Sequence, residues 1–366
     1  MVRALGASRF VRFMLPALAA LALGACTTQP RDEVRVNVGM QLPEPAKAHD
    51  YAALYTPYAM MATAAYTDKF ALNKLNCPDP GRLAMAQAGE SEGDADYRKT
   101  VRGWIGYLNA RGWECRFGVY GSLPCPPRAG GENECKPVGG LEFHVWRRMQ
   151  GNNCREAVIA FRGTDKNDTD DWVSNLRWLH RLAPKFDQYA QVQTHIKQIV
   201  ARIKHNGCNG TTPFVSVGHS LGGGLAQQAA YADESRSIRY VYAFDPSPVT
   251  GFFDVSAIVL ERSTKGLGVD RAYEAGEILS LPRLLIENIY PPAACRPRIR
   301  SVRFNMLAGL PGTQHSISSL TQQMQLAARK PGANARRVDE RAKARLCKDE
   351  PFLPMRIPLP FFDQPA

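Results

Sequence analysis

The sequence predicts an α/β fold in which a mostly parallel central sheet is covered by helices on both faces. Three observations predict it. From residue 141 to residue 328, short apolar runs alternate with longer segments of helical spacing, the pattern of strands joined by crossover helices. Two of those runs, PFVSV at 213–217 and IRYVYAF at 238–244, have the length and β-branched or aromatic content of buried strands. The chain is also large enough for such a sheet: 366 residues with 45% hydrophobic content supply an ample core. Mean hydropathy of −0.29 excludes a polytopic membrane protein, and 9% aromatic with 22% charged residues excludes global disorder. No Gly period or self-similar segment is present, which excludes collagen-like and repeat architectures.

The elements follow in order. Residues 1–25 stand apart from the globular body. Arg3, Arg9 and Arg12 precede an apolar run from Phe13 to Leu23, too short to span a bilayer of about 30 Å as a helix, so the segment reads as a signal peptide. Its end, Leu23-Gly24-Ala25-Cys26, resembles a bacterial lipobox. That resemblance implies that Cys26 becomes the acylated N-terminus, and several acyl chains on one residue anchor firmly. With Thr27 and not Asp after the Cys, it further implies a place in the bacterial cell envelope, at the outer membrane. Cleavage lowers the net charge from +12 to +9. For an exported, anchored chain this basic balance points to anionic lipid head groups and not to nucleic acid. Nine Cys become eight beyond Cys26, an even number that suits disulfides in an oxidising compartment and leaves their pairing open.

Residues 26–48 are polar and dotted with Pro, and read as a lipidated tether. The main domain is expected over 49–328. Tyr51 to Tyr66 reads as a helix, with Pro57 weakening its first half. Residues 77–140 hold four Cys among many Gly and Pro, with a short helix near 98–110; they read as a disulfide-stapled insertion with too little apolar content for a core of its own. Leu141–Arg147 and Glu156–Phe161 flank a Gly151-Asn152-Asn153 turn and predict a hairpin. Helices are predicted over 171–182, 186–203, 221–232 and 315–328, and strands over 213–217, 238–244, 268–279 and 299–306. Residues 329–366 form a basic, Pro-rich tail; 329–348 carry eight basic residues against two acids, a solvated face or a contact for anionic lipid.

The chemistry centres on Gly218-His219-Ser220-Leu221-Gly222. Those letters are common; their position between an apolar strand and a small-residue helix is not. A nucleophile elbow needs that context, with Gly flanking a turn too tight for side chains. The turn lifts the Ser220 hydroxyl above the sheet and aims the N–H groups of the helix start toward a developing oxyanion. Ser220 then needs a base. Of the seven His, His315 follows the nucleophile in the order Ser, acid, His, in a Gly-rich loop that opens a helix. The acidic run Asp165, Asp168, Asp170, Asp171 lacks the Gly and the terminal Glu of an EF-hand loop and reads as helix caps, so no metal is expected.

Phe161-Arg162-Gly163-Thr164, Asp171-Trp172, and the elbow with Gly222-Gly223 together resemble the class 3 lipases, the family of the filamentous-fungal triacylglycerol lipases. The resemblance spans roughly residues 141 to 320 and implies an α/β-hydrolase fold. It assigns the oxyanion hole to Thr164 and to the N–H of Leu221. It places the acid after a late strand, where Arg271 to Leu279 fits the family frame and Glu277 takes the Asp position. Asp245, at the end of the strand after the elbow helix, is the alternative, since pancreatic-type lipases put their acid there.

The expected function is a lipid-anchored serine hydrolase that cleaves carboxylic esters of acyl lipids, with no metal or organic cofactor. Its substrate is an acyl lipid or ester, its membrane contact runs through Cys26, and the sequence names no protein partner. Two other classes fit the same scaffold: a surface lipoprotein that uses the fold for binding, and an acyltransferase or peptidase.

Overall fold

The computed structural model of the chain describes residues 33–38, 48–85, 87, 90–125, 140–163, 187–209, 211–280, 283 and 297–329. Among them eight strands form one sheet: β1 (Glu33–Val38), β2 (Trp113–Val119), β3 (Phe143–Gln150), β4 (Asn153–Phe161), β5 (Phe214–His219), β6 (Ile238–Phe244), β7 (Gly268–Glu274) and β8 (Arg298–Asn305). Their spatial order is β1-β8-β7-β6-β5-β4-β3-β2. Neighbours from β4 to β8 are parallel, while β1, β2 and β3 add antiparallel pairs at the two edges. This is the α/β-hydrolase architecture that the sequence predicts.

Side-chain alternation on the strands feeds two cores. On β4, Val158 and Ala160 pack toward helices α1 (Ala48–Ala64), α2 (Glu92–Asn109) and α7 (Ile317–Ala328). Ala157, Ile159 and Phe161 face the other way, toward α3 (Gln188–His205) and α4 (Leu221–Ala232). Helices α2, α3 and α7 each turn an apolar stripe to one of these cores, α1 is buried on nearly every side, and α5 (Ala257–Ser263) packs against α4. On α3 the buried residues Val192, Ile196, Ile199, Val200 and Ile203 recur at helical spacing, and the Asp187 carboxylate caps the first turn through the Ala190 N–H at 3.0 Å. Helix α1 runs unbroken through Pro57. The flanking Tyr55 and Tyr58 are buried and donate to Asp270 at 2.7 Å and to Glu156 at 2.5 Å, so packing outweighs the backbone bond that Pro removes.

The structure refines three sequence expectations. The Cys-rich segment, expected as an insertion without a core of its own, supplies edge strand β2 and helix α2, whose Val101, Trp104, Ile105 and Leu108 are buried in the main core. Their spacing of i, i+3, i+4 and i+7 was diluted by Gly and charged residues. Within the expected tether, Glu33–Val38 pairs with β8 as an outer strand; its EVRVNV alternation is the period-2 signal. The strand expected over 268–279 stops at Glu274, because Gly276 turns at φ 83° and takes Glu277 off the sheet. Disulfides join Cys77 to Cys115 and Cys154 to Cys208, and Cys125 is also disulfide-bonded. The signal peptide, Cys26, the helix expected over 171–182 and the tail beyond Arg329 lie outside the described residues.

Candidate active site

Five consecutive parallel strands end on the same side of the sheet, and Ser220, Asp245 and Glu277 stand just past three of those ends. β5 stops at His219, α4 starts at Leu221, and Ser220 between them adopts φ 57°, ψ −125°. A non-Gly residue at positive φ is strained by about 1–3 kcal/mol, and the surroundings hold it there. The Ser220 N–H donates to Phe244 O at 3.0 Å, and the Ser220 carbonyl accepts from Gly223 and Ser247 at 3.0 and 2.9 Å. A Cβ on Gly218 would collide with the Gly222 carbonyl, which is why the motif needs glycine there. The Ser220 side chain makes no capping bond to its own helix.

The chain leaving β4 passes directly against this turn. Phe161 is level with Gly218 in the parallel register, and a Cβ on Gly163 would come within 2.6 Å of the His219 carbonyl. That route leads toward Thr164, which itself lies outside the described residues. Leu221, the other expected oxyanion residue, is the first residue of α4. A donor there carries one of the unpaired N–H groups at the positive end of the helix dipole.

His315 follows the four-residue helix α6 (Pro311–Gln314) as its C-cap and is buried. Its Nδ1 lies 2.7 Å from Glu277 Oε2. A carboxylate can only accept, so Nδ1 carries the proton and Nε2 is left as the basic nitrogen. Glu277 is itself fixed: Oε2 also accepts the Leu279 N–H at 2.8 Å, and Oε1 accepts from Ser280 Oγ at 3.3 Å and pairs with Arg283. Burial pushes the His315 imidazole down to about 4; Asp245 opposes this and Arg283 adds to it. The ring is therefore neutral at neutral pH, the state a general base requires.

Asp245, the alternative acid, is placed differently. It sits just past β6 at φ 38°, fully buried. Its Oδ1 accepts the Glu274 N–H at 2.8 Å, and Oδ2 lies 3.9 Å from His219 Nε2. Burial raises its carboxyl above the usual range, with His315 and Arg283 pulling it back. Behind it Glu274, also fully buried, is pushed up to about 8, chiefly by burial and further by Asp245; N–H groups such as that of Leu307 limit the rise. Of the two acids weighed from sequence, Glu277 is the one that touches the His315 ring, and Asp245 contributes a nearby charge.

Sequence reasoning missed what His219 does. Its Nε2 lies 2.9 Å from the His315 carbonyl and its Nδ1 2.8 Å from Tyr66 Oη. The carbonyl can only accept, so Nε2 donates and Nδ1 accepts from the tyrosine. Tyr66, just past α1, thus locks the residue before the nucleophile to the backbone of His315. The variable position of the elbow was the signal available; Tyr66 had none, since 249 residues separate it from His315. Ring nitrogens of His219 and His315 and a carboxylate oxygen of Asp245 lie within 4.8 Å of one another, a spacing a cation could bridge. Both ring nitrogens of His219 are engaged, Nε2 with the His315 carbonyl and Nδ1 with Tyr66 Oη, so His219 offers no lone pair to complete such a set.

Residues 131–241 match a family model described as a Tle-like phospholipase domain. The chain is 30% identical over 129 residues to an extracellular phospholipase A1 of Serratia liquefaciens, a match covering 35% of this chain and 37% of that protein. The chain thus spans little more than a third of that relative's length. Among solved structures, lipase II of Rhizopus niveus is 15% identical with a TM-score of 0.37, covering 69% of this chain and 79% of that one. A Rhizomucor miehei lipase–propeptide complex is 14% identical with a TM-score of 0.38, covering 76% and 77%. The fold assignment rests on the strand order itself. By that strand order and its elbow the chain has an α/β-hydrolase fold, and its residues 131–241 are similar to the phospholipase-like family.

Proposed function

We propose that this protein is a lipid-anchored serine hydrolase that cleaves carboxylic esters of acyl lipids through an acyl-enzyme. The contact that carries the reading is His315 Nδ1 to Glu277 Oε2 at 2.7 Å, beside the strained Ser220 turn. His315 Nε2 takes the Ser220 Oγ proton as Oγ bonds to the ester carbonyl carbon. The carbonyl oxygen becomes an oxyanion, held by the N–H of Leu221 and by Thr164. Collapse breaks the bond to the alcohol, which leaves with the proton from His315. Water then repeats the cycle: His315 takes its proton, the hydroxide adds to the acyl carbon, and Ser220 leaves reprotonated with release of the fatty acid. Glu277 stays ionised throughout and stabilises the imidazolium that forms at each step.

Acyl lipid is the substrate class that the matched phospholipase domain and the anchor both favour. The test is hydrolysis by the full chain, in detergent, of a panel of diacyl phospholipids, triacylglycerols and short-chain esters. Release of fatty acid from at least one lipid class is expected, and its loss on fluorophosphonate labelling of Ser220. Labelling without turnover of any ester would favour the binding reading. Acyl transfer to an added alcohol or amine that outruns hydrolysis would favour the acyltransferase one.

The anchor is a second part of the proposal, placing the protein in a bacterial cell envelope at the outer membrane. Cys26→Ser removes the thiol that is acylated, so the protein is expected to appear in the aqueous phase of a detergent partition or to stay unprocessed. Undiminished labelling of that variant by a fatty-acid analogue would sink the lipobox reading.

A further inference from the structure

The Glu277 carboxylate bridges the side chains of His315 and Arg283. Oε2 faces His315 and the Leu279 N–H, and Oε1 faces the Arg283 guanidinium. Arg283 lies on the turn after Glu277: the Ser280 N–H donates to Glu277 O, and the Arg283 N–H to Leu279 O, both at 3.0 Å. Its side chain is buried, donates from Nη1 to Pro246 O at 2.6 Å, and lies over the Tyr273 ring at 4.7 Å. One guanidinium thus joins the loop after β7 to the loop after β6, the two places where the candidate acids stand. The mechanism above gives it no part.

We propose that Arg283 is a positioning residue for ester cleavage: it orients the Glu277 carboxylate toward His315, and its fixed charge keeps that pair in the form able to accept the Ser220 proton. This rests on the reading of Ser220, His315 and Glu277 as the catalytic set. The charges that face the ring decide the matter. Glu277 approaches from the loop after β7, Asp245 from the end of β6, and His219 from the elbow; Glu274 stands behind Asp245, and Tyr66 caps His219. Ionised, Glu277 and Asp245 place two negative charges against the single fixed cation of Arg283. Take that cation away and proton uptake by His315 is the nearest means of balance, which makes an imidazolium that cannot act as base. The direction agrees with the opposing pulls of Asp245 and Arg283 on the imidazole. The geometry also gives glutamate a use at this position: its longer arm lets one oxygen meet the imidazole while the other meets the guanidinium. Arginine suits the task because separate nitrogens of a planar fork reach Glu277 and Pro246; an ammonium would act as a point charge.

The test is the pH dependence of kcat/KM for the full chain on a soluble ester, p-nitrophenyl butyrate, with Arg283→Lys, Arg283→Gln, Arg283→Met and Glu277→Gln compared. The acid limb of that profile reports the free enzyme's base. Protonation of His315 abolishes activity, so in the wild type the limb should lie well below 6.5. Gln or Met at 283 should move it up by about one pH unit. Lys should leave it in place while lowering kcat, because charge is kept and the fork is lost. A limb at the wild-type pH in a neutral variant whose near-ultraviolet circular dichroism matches wild type overturns the proposal. So does failure of both neutral variants to fold, since Arg283 is then structural. If Glu277→Gln retains wild-type turnover, the catalytic set is wrong whatever Arg283 does; if it is inactive and the limb does not move, Arg283 alone is misread.

Discussion

Ser220→Ala should lower ester turnover at least about a thousandfold, with folding unchanged. The loss follows from chemistry: without Oγ no acyl-enzyme forms, and what remains is the slow attack of water helped by the oxyanion donors. The unchanged fold follows from structure. The Ser220 side chain makes no capping bond to its helix, so removing the hydroxyl breaks none of the contacts that hold the elbow. Alanine at φ 57° carries the same strain as serine, about 1–3 kcal/mol, so the penalty cancels between the two proteins. Thermal melts should therefore agree within about 1 kcal/mol of stability, and the variant should no longer react with a fluorophosphonate. Residual turnover above about a thousandth of wild type would mean that another nucleophile does the work.

Glu277→Gln should be nearly as damaging, at about 10³- to 10⁴-fold in kcat, while Asp245→Asn should cost less than about tenfold. An amide at 277 can turn its NH₂ toward Nδ1 of His315, which then accepts and pushes the ring proton to Nε2. That tautomer cannot take a proton from Ser220. The same change leaves the buried Arg283 without its counter-ion, and breaking such a pair costs about 3–5 kcal/mol of stability. Turnover must therefore be measured per folded molecule, by active-site titration. Asp245 lies 3.9 Å from His219 through Oδ2 and accepts the Glu274 N–H through Oδ1, so an amide there alters the local charge without touching the proton-relay geometry. A reversed ranking, with Asp245→Asn inactive and Glu277→Gln near wild type, would put the acid at the end of β6.

The parts of this protein that local physics dictates were open to reading from the chain alone. Elements 221–232 and 238–244 coincide with α4 and β6, because a small-residue run after an elbow and a run that is apolar but for Arg239 leave the backbone one way each to bury its hydrophobic side. Ser220 was marked by neighbours in the chain, since steric demands on a tight turn act over two or three residues. His315 was proposed from chain order and its Gly-rich loop. The acid was left open between Glu277 and Asp245, because that contact depends on which carboxylate two loops bring to one ring. Glu277 stands 38 residues before His315 and Asp245 stands 70 before it, and the hydrophobic pattern is indifferent to both. The turn at Gly276 and the ion pair with Arg283 carry Glu277 to the imidazole. The same separation hid Tyr66, the contact of His219 with the His315 backbone, and the place of α2 in the main core. Periodicity reports which face of an element is buried; what lies against that face is settled by the packing of distant segments, and in this fold those contacts orient the residues placed in the active site.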